Sequence, residues 1–285
     1  MTTQAERTTL THHRASVTAV RPLSPHLVRV TLATETFREL VPQAPDQYVK
    51  LFFPLAGQDE PVLPETASDV MSWYRTYLAM PDDVRPPMRT YTARAIRPEA
   101  AEVDVDFVLH GDEGPASAWA SRVRPGDRVA FMGPYGLYAP PPATDWQLLV
   151  GDETALPAIG AIVEQLPPGT RASVYVELAD RADRQAFDTL GAVEVHWVLR
   201  GSRPLGEALL GAVRGAAFPG GTPYAWVSGE AGVVKLVRRH LVREREVDKR
   251  SICFTGYWRR GLSEEDAGRE AVRAAEAGEV PAEDD

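Results

Sequence analysis

The stretch Arg89-Thr90-Tyr91-Thr92-Ala93-Arg94, RTYTAR, alternates polar, aromatic and β-branched side chains and reads as a β-strand. Strand alternation puts Arg89, Tyr91 and Ala93 on one face and Thr90, Thr92 and Arg94 on the other. A guanidinium, an aromatic plane and hydroxyls then meet in one place. Those groups suit a flavin nucleotide: the cation for its diphosphate, the ring for the isoalloxazine, a hydroxyl for the reactive ring nitrogen. The same six residues also make an ordinary solvent-facing strand, so the flanking chain has to decide.

Toward the N-terminus, ASVTAVRPLSPHLVRVTLAT from Ala15 is two alternating runs about a Ser24-Pro25 turn, an antiparallel hairpin. QYVKLFFP, residues 47–54, is another strand, and its Lys50 is a lone cation among apolar neighbours. It is either a snorkelling lysine at a barrel rim or a contact for an anionic ligand. Residues 55–88 predict a long loop with a short helix around Trp73-Tyr74 over one end of a barrel. Beyond RTYTAR come the strand AEVDVDFVLHG, a helical turn at Pro115–Ala120, and RVRPGDRVAFMGPYG, a turn, a strand and a turn. This succession of short strands predicts a small antiparallel barrel over 15–140.

At Pro140-Pro141-Pro142 the pattern changes, which marks a domain boundary. QLLVGDETALPAIGAIVEQL, ASVYVELADRADRQAF, VEVHWVLRG, YAWVSGEAGVVKLVRRHLV and SICFTGYWRRG predict strands separated by helical stretches, a parallel sheet over 145–262. Residues 263–285 form an acidic, alanine-rich tail, read as a short helix before a disordered end.

Net charge of -9 over 285 residues disfavours nonspecific binding to nucleic acid or an anionic membrane. A single cysteine, Cys253, allows no internal disulfide and fits a reducing compartment. The opening MTTQAERTTLTHHRAS lacks the apolar segment of a secretory signal, and no run is long enough to span a bilayer. The expectation is a cytoplasmic protein. No zinc spacing, Walker loop or nucleophile elbow is present, so no structural metal is expected.

His110-Gly111-Asp112-Glu113-Gly114-Pro115-Ala116-Ser117 ends a strand and opens a helical turn. Open amides there suit a phosphate, and the Ser117 hydroxyl adds a donor. The alternative is a plain capped loop, with His110 satisfied by backbone. Gly151-Asp152-Glu153-Thr154-Ala155 follows the first strand of the sheet domain, where open α/β sheets bind nucleotides, but it lacks the G-x-G-x-x-G fingerprint. Asp152 and Thr154 equally suit helix capping. Ser228-Gly229-Glu230 is at another strand-to-helix turn, a candidate for the nicotinamide side of a hydride donor or another cap. Glu177 or Asp180 would favour an adenosine ribose and Arg181 a 2′-phosphate, or all three form a solvated loop. Gly256-Tyr257-Trp258-Arg259-Arg260-Gly261 ends the last strand, as a cover for a flavin or as aromatic edge packing.

Taken together, RTYTAR, FVLHGDEGPASAWA, GDETALPAI, VSGE and GYWRRG resemble, in order, the siderophore-interacting family of ferredoxin reductase-like flavin reductases. The resemblance covers about residues 15 to 262. It implies an N-terminal antiparallel FAD-binding β-barrel, then a C-terminal parallel-sheet nucleotide-binding domain. It implies noncovalent FAD, reduced by NAD(P)H or ferredoxin, passing electrons to a ferric siderophore. By that resemblance Arg89, Tyr91 and Thr92 hold the flavin phosphate, ring and ring-nitrogen region, and Gly114, Pro115, Ala116 and Ser117 hold the diphosphate. Asp152, Thr154 and Ala155 border the flavin from the second domain. Lys50 and Arg259, with Arg260 competing for the latter role, attract the anionic chelate. Two other functions fit the same residues: a reductase of flavodoxin, ferredoxin or free flavin, and a non-enzymatic module binding flavin or siderophore.

Overall fold

The computed structural model describes residues 11–277 apart from 41, 68 and 111–113. The N-terminal half contains β1 (His13–Ser24), β2 (Leu27–Ala33), β3 (Tyr48–Phe52), α1 (Val70–Ala79), β4 (Met88–Thr92), β5 (Ala95–Arg97), β6 (Glu102–Val108), α2 (Pro115–Ala120) and β7 (Arg128–Tyr135). Its antiparallel sheet runs β4-β3-β7-β1-β2-β6-β5. RTYTAR explains how that sheet closes. Its strand ends at Thr92; the Ala93 amide donates to Gln47 O beside β3, and the Arg94 amide to Asp104 O on β6. β4 and β5 are therefore one segment bent at Ala93-Arg94. The two edges of the sheet are nearly consecutive residues, and the sheet curls into a barrel. The expected alternation holds through Thr92 and fails at this corner, so Arg94 does not share a strand face with Thr90 and Thr92.

Inward positions Val30, Leu32, Val49, Leu51, Val105, Phe107, Val129 and Phe131 fill the barrel. The next residues along, Phe52, Met88 and Ala130, point outward and would be wet. The amphipathic α1 covers them with Trp73 and Tyr77, stacked at 5.4 Å. Asp69 caps α1 by accepting from the Ser72 amide at 2.9 Å, and Trp73 Nε1 donates to His12 Nε2 at 3.0 Å.

The second half contains β8 (Trp146–Gly151), α3 (Leu156–Glu164), β9 (Arg171–Leu178), β10 (Ala192–Leu199), α4 (Glu207–Gly215), β11 (Pro223–Glu230), α5 (Ala231–Arg243), β12 (Ile252–Trp258) and α6 (Glu264–Glu276). The sheet is parallel in order β10-β9-β8-β11-β12. Leu156 through Val163 of α3 are all buried, because the helix lies between the sheet and the barrel. α4 and α5 cover the opposite face. The helical stretch expected after β9 is absent: β9 and β10 are joined by a 3-10 turn at Arg181–Asp183 and an extended run. The β1–β2 turn of the barrel occupies that place. Ser24 Oγ donates to Asp183 Oδ1 at 2.5 Å, and His26 Nδ1 is 3.1 Å from Asp183 Oδ2. Within the acidic tail, α6 forms the expected helix and packs on α1 with Gly268 against the Tyr74 ring; the expected disordered end lies outside the described residues.

Candidate active site

Three strands meet at the C-terminal edge of the parallel sheet where it faces the barrel. Thr92 ends β4, Ser228 lies near the end of β11 and Tyr257 near the end of β12. Burial pushes the Tyr257 phenol above its ordinary value and the nearby Asp46 charge adds to this, so it is neutral at neutral pH. Against that shift, the Ser228 and Thr92 side chains both lie near enough to the Tyr257 phenol to lower its pKa. RTYTAR, VSGE and GYW, which span most of the sequence, are brought to one point.

Close backbone approach makes this edge possible. A methyl on Gly151 would lie 2.4 Å from the Ala155 Cβ, and one on Gly229, at φ +141, 2.7 Å from Asp152 Oδ2. Asp152 ties the edge together. Its Oδ1 accepts from the Thr154 amide at 2.9 Å and hydroxyl at 2.5 Å; its Oδ2 accepts from the Glu230 amide at 2.8 Å and Trp258 Nε1 at 3.0 Å. Asp152 is buried and fully engaged, and Ala155 has no exposed surface. Of the residues expected to border a ligand here, Thr154 is the one that reaches the surface.

On the barrel side, the Tyr91 ring packs on Phe107 at 4.3 Å, and Phe107 and Phe53 lead to Trp119 of α2. Burial pushes the Tyr91 phenol up, so it too stays protonated at neutral pH. α2 begins at Gly114 with no side-chain cap and with Pro115 in its first turn, while Ser117 Oγ accepts from the His110 amide at 3.2 Å. Gly114 and Pro115 are half-buried; Ala116 and Ser117 lie beneath them. A Cβ at Gly114 would stand 3.1 Å from the His110 ring. An uncapped helical turn led by a glycine in close quarters suits a phosphate. Gly111, Asp112 and Glu113 lie outside the described residues.

The cations differ from expectation. Lys50 is not a lone charge: its Nζ is 2.9 Å from Glu264 Oε1 and 3.1 Å from Thr90 Oγ1, and sits 5.6 Å over the Tyr74 ring. Burial opposes its charge, but Glu264 and Tyr74 hold its pKa well above the ordinary value. Arg89 donates to Glu265 Oε1 at 2.6 Å and to Met88 O at 2.6 Å. Burial disfavours the Glu265 carboxylate, yet Arg89 holds its pKa below the usual value. Arg259, exposed, pairs at 3.5 Å with Glu270; Arg260 is exposed beside it. The helix from the acidic tail thus reaches three of the four predicted cations.

Glu177 is no ribose ligand. It has no exposed surface, accepts from the Gly206 and Leu209 amides at the start of α4, and pairs with Arg200 at 2.7 Å. Asp180 caps the following 3-10 turn. Cys253 is half-buried, and burial followed by the Asp46 charge pushes its thiol up to about 11, so it stays protonated at neutral pH.

Other residues join the barrel to the sheet. Asp46 accepts from Leu137 N, Tyr138 N and Trp226 Nε1, joining barrel, linker and sheet. Arg94, the last letter of RTYTAR, makes a two-pronged contact with Glu164 of α3, both at 2.7 Å. A second arginine ending a strand motif was the available signal for that link; a lone aspartate before β3 gave none. Among the described residues no cluster of His, Cys, Asp and Glu could hold a metal, and no helix is long and apolar enough to cross a membrane.

Comparison with known proteins accounts for both halves. Residues 16–138 match the siderophore-interacting FAD-binding domain, and residues 144–261 match the siderophore-interacting protein model. An uncharacterized protein of Mycobacterium tuberculosis is 40% identical over 265 residues, covering 89% of this chain and 92% of its own length. The ferric vibriobactin reductase ViuB of Vibrio cholerae is 29% identical over 245 residues, covering 85% and 88% of the two chains. An NADPH-dependent ferric-chelate reductase of Escherichia coli is 28% identical over 260 residues, covering 90% and 96%. A siderophore utilization protein from T. fusca superposes with a TM-score of 0.77 at 34% identity, covering 89% and 95%. SipS, a siderophore-interacting protein from Aeromonas hydrophila, does so with 0.76 at 32% identity, covering 94% and 99%. A ferredoxin reductase of carbazole 1,9a-dioxygenase, 18% identical over 87% of this chain and 70% of its own, shares the fold at a TM-score of 0.60. The barrel half is an FAD-binding domain, the fold is ferredoxin reductase-like, and the chain belongs to the siderophore-interacting protein family of oxidoreductases.

Proposed function

We propose that this chain is a cytoplasmic FAD-dependent ferric-siderophore reductase, taking electrons from NAD(P)H or ferredoxin and giving them to Fe(III) in a siderophore. The observation that carries the reading is the approach of Thr92, at the end of β4, and Ser228, near the end of β11, to the Tyr257 phenol, where the barrel faces the edge of the parallel sheet. The names of the Vibrio cholerae and Escherichia coli relatives support the reaction class. Residues 15–140 would hold the flavin and 145–262 would receive a nicotinamide nucleotide.

The fit of FAD rests on the donor set. Bound FAD would supply the hydride acceptance and one-electron delivery that no side chain here can supply. Tyr91 presents a neutral aromatic face and Thr92 a hydroxyl for the ring. The α2 start at Gly114 and Pro115, with the Arg89 guanidinium, would hold the diphosphate. His110 would line the nucleotide; Tyr257 and Trp258 would close over it from the sheet. Lys50, Arg259 and Arg260 would draw in the anionic chelate by charge. No proton-transfer residue is required, since reduction of Fe(III) weakens its hold on hard anionic oxygens and so releases the metal.

An anaerobic titration tests the reading. The protein is reconstituted with FAD, then mixed with NADH, NADPH and reduced ferredoxin in turn, and finally with ferric chelates or flavodoxin. Flavin bleaching by one donor, followed by reoxidation by a ferric chelate, is expected. Failure to hold FAD would overturn the assignment. Reoxidation by flavodoxin alone would make the chain a carrier-protein reductase. A bound flavin that resists NAD(P)H, ferredoxin and dithionite would make it a binding module.

A further inference from the structure

The lysine proposed to receive the anionic chelate already holds an anion. Glu264, the first residue of α6, lies against Lys50 and Thr90 with both carboxylate oxygens in use. Oε1 accepts from Lys50 Nζ at 2.9 Å and from Thr90 Oγ1 at 2.8 Å, and Oε2 accepts from the Thr90 amide at 3.0 Å. Lys50 and Thr90 face each other across the β3–β4 ladder, so the carboxylate seats on a strand-borne subsite. The Lys50 and Glu264 side chains are 18% and 22% exposed, enough burial for the charges to be weakly screened yet still open to exchange. Ser263 caps α6, and Gly268 against Tyr74 anchors it on α1.

We infer that Glu264 is a tethered competitor of the substrate: an anion on the Lys50 subsite, which an incoming anionic chelate must displace. This rests on the reading above, in which Lys50 receives the anionic substrate. A carboxylate carried on the same chain competes at an effective concentration on the order of millimolar. A singly charged ligand at micromolar concentration gains nothing by exchanging one carboxylate for another. A chelate with several negative charges engages Lys50 together with the exposed Arg259 and Arg260, and so can displace Glu264. The subsite is thereby closed to weakly anionic complexes, and a neutral complex, which does not compete for the Lys50 ammonium, is indifferent to Glu264.

The test uses FAD-reconstituted full-length protein and redox-inert gallium complexes, so that binding is read apart from electron transfer. The trianionic gallium tris-catecholate and the neutral gallium tris-acetohydroxamate are titrated calorimetrically into the wild type and Glu264→Gln. The amide keeps an acceptor for Lys50 and Thr90 while removing the charge. Affinity for the trianion is expected to rise roughly tenfold, with affinity for the neutral complex unchanged. In a Lys50→Gln background, Glu264→Gln is expected to shift trianion affinity by less than about twofold, since the coupling runs through that ammonium. Circular dichroism of each variant verifies folding, and Glu264→Ser provides a second neutral variant.

Unchanged or weaker trianion binding in both neutral variants would overturn the inference and make Glu264 a strut that positions Lys50. Trianion binding to none of the proteins would remove the subsite and the inference with it. Tighter binding without reduction of the matching ferric complex would leave the inference standing while the reductase reading fell.

Discussion

Asp46 accepts three hydrogen bonds from two separate parts of the chain: the Leu137 and Tyr138 amides of the linker at 3.0 and 2.9 Å, and the Trp226 indole of β11 at 3.0 Å. It is 3% exposed, so Asp46→Ala leaves three donors with little water to turn to. The change is expected to cost roughly 3 to 5 kcal/mol in urea unfolding at neutral pH, and a loss under about 1 kcal/mol would show that the indole and amides find other acceptors. Sequence alone could not single out Asp46, because its partners lie 91, 92 and 180 residues away. Tyr91 and Thr92 were legible because strand alternation is local. Arg94 was half-legible. It ends the RTYTAR motif, yet its work is across the domain boundary, where its guanidinium spans both oxygens of Glu164 at 2.7 Å. Arg94→Lys keeps the charge and loses the fork, and is expected to lower stability by about 1 to 3 kcal/mol in the same assay. Equal stability of the two proteins would show that the fork adds nothing beyond its charge.

At the scale of elements, the helices followed from composition wherever an exposed strand face needed covering, and failed where another part of the chain covered it first. α1 is required by the outward Phe52, Met88 and Ala130. The helix expected after β9 is missing because the β1–β2 turn already packs there through Ser24, His26 and Asp183. α6 was legible as a helix, but its seat on α1 and β4 was not, since the pairing depends on Lys50 and Arg89 more than 170 residues earlier. Two titrating groups sit at the cover made by α1 and α6: His12, against Trp73 of α1, and Glu265, on α6. His12 accepts from Trp73 Nε1; burial first, and then the His13 charge, lowers its pKa below the ordinary 6.5. Its contribution is complete above 6.5 and declines as the pH falls toward the folded-state value. Glu265 is depressed below 4.5, so the contribution of its Arg89 pair is complete above 4.5 and is lost as pH falls through the folded value. The unfolding free-energy difference between wild type and His12→Gln should therefore shrink from pH 7.5 to pH 5.5. That between wild type and Glu265→Gln should hold over this range and shrink on going to pH 3.5. Parallel stability curves for His12→Gln and wild type across pH 7.5 to 5.5 would exclude His12 as the upper group.

For the molecule as a whole, the question is whether barrel and sheet are two folding units or one. Sequence divides them at the triple proline, and the two family models meet near it, at residues 138 and 144. The packing does not respect that division. Leu27 of β2 is buried in the same apolar cluster as Leu149, Ile159 and Val174 of the sheet domain, and Leu23 and Val108 of the barrel pack against it. Tyr138 donates from the linker to Gln147 of β8 at 2.6 Å, and the Ala139 amide donates to the Tyr224 hydroxyl of β11 at 3.0 Å. Together with Asp46 and the Arg94–Glu164 fork, these contacts cross the boundary on apolar area and on buried polar groups at once. Separating the halves would wet the Leu27 cluster and orphan those donors, so neither half gains from unfolding alone. One cooperative urea transition is expected, with circular dichroism and tryptophan fluorescence coinciding. Leu27→Ala, a barrel substitution, should lower the midpoint of that single transition by an amount equivalent to about 2 to 5 kcal/mol. Two separated transitions in the wild type, with Leu27→Ala moving only one of them, would show that barrel and sheet fold independently and that they are held together by a weaker joint than this packing describes.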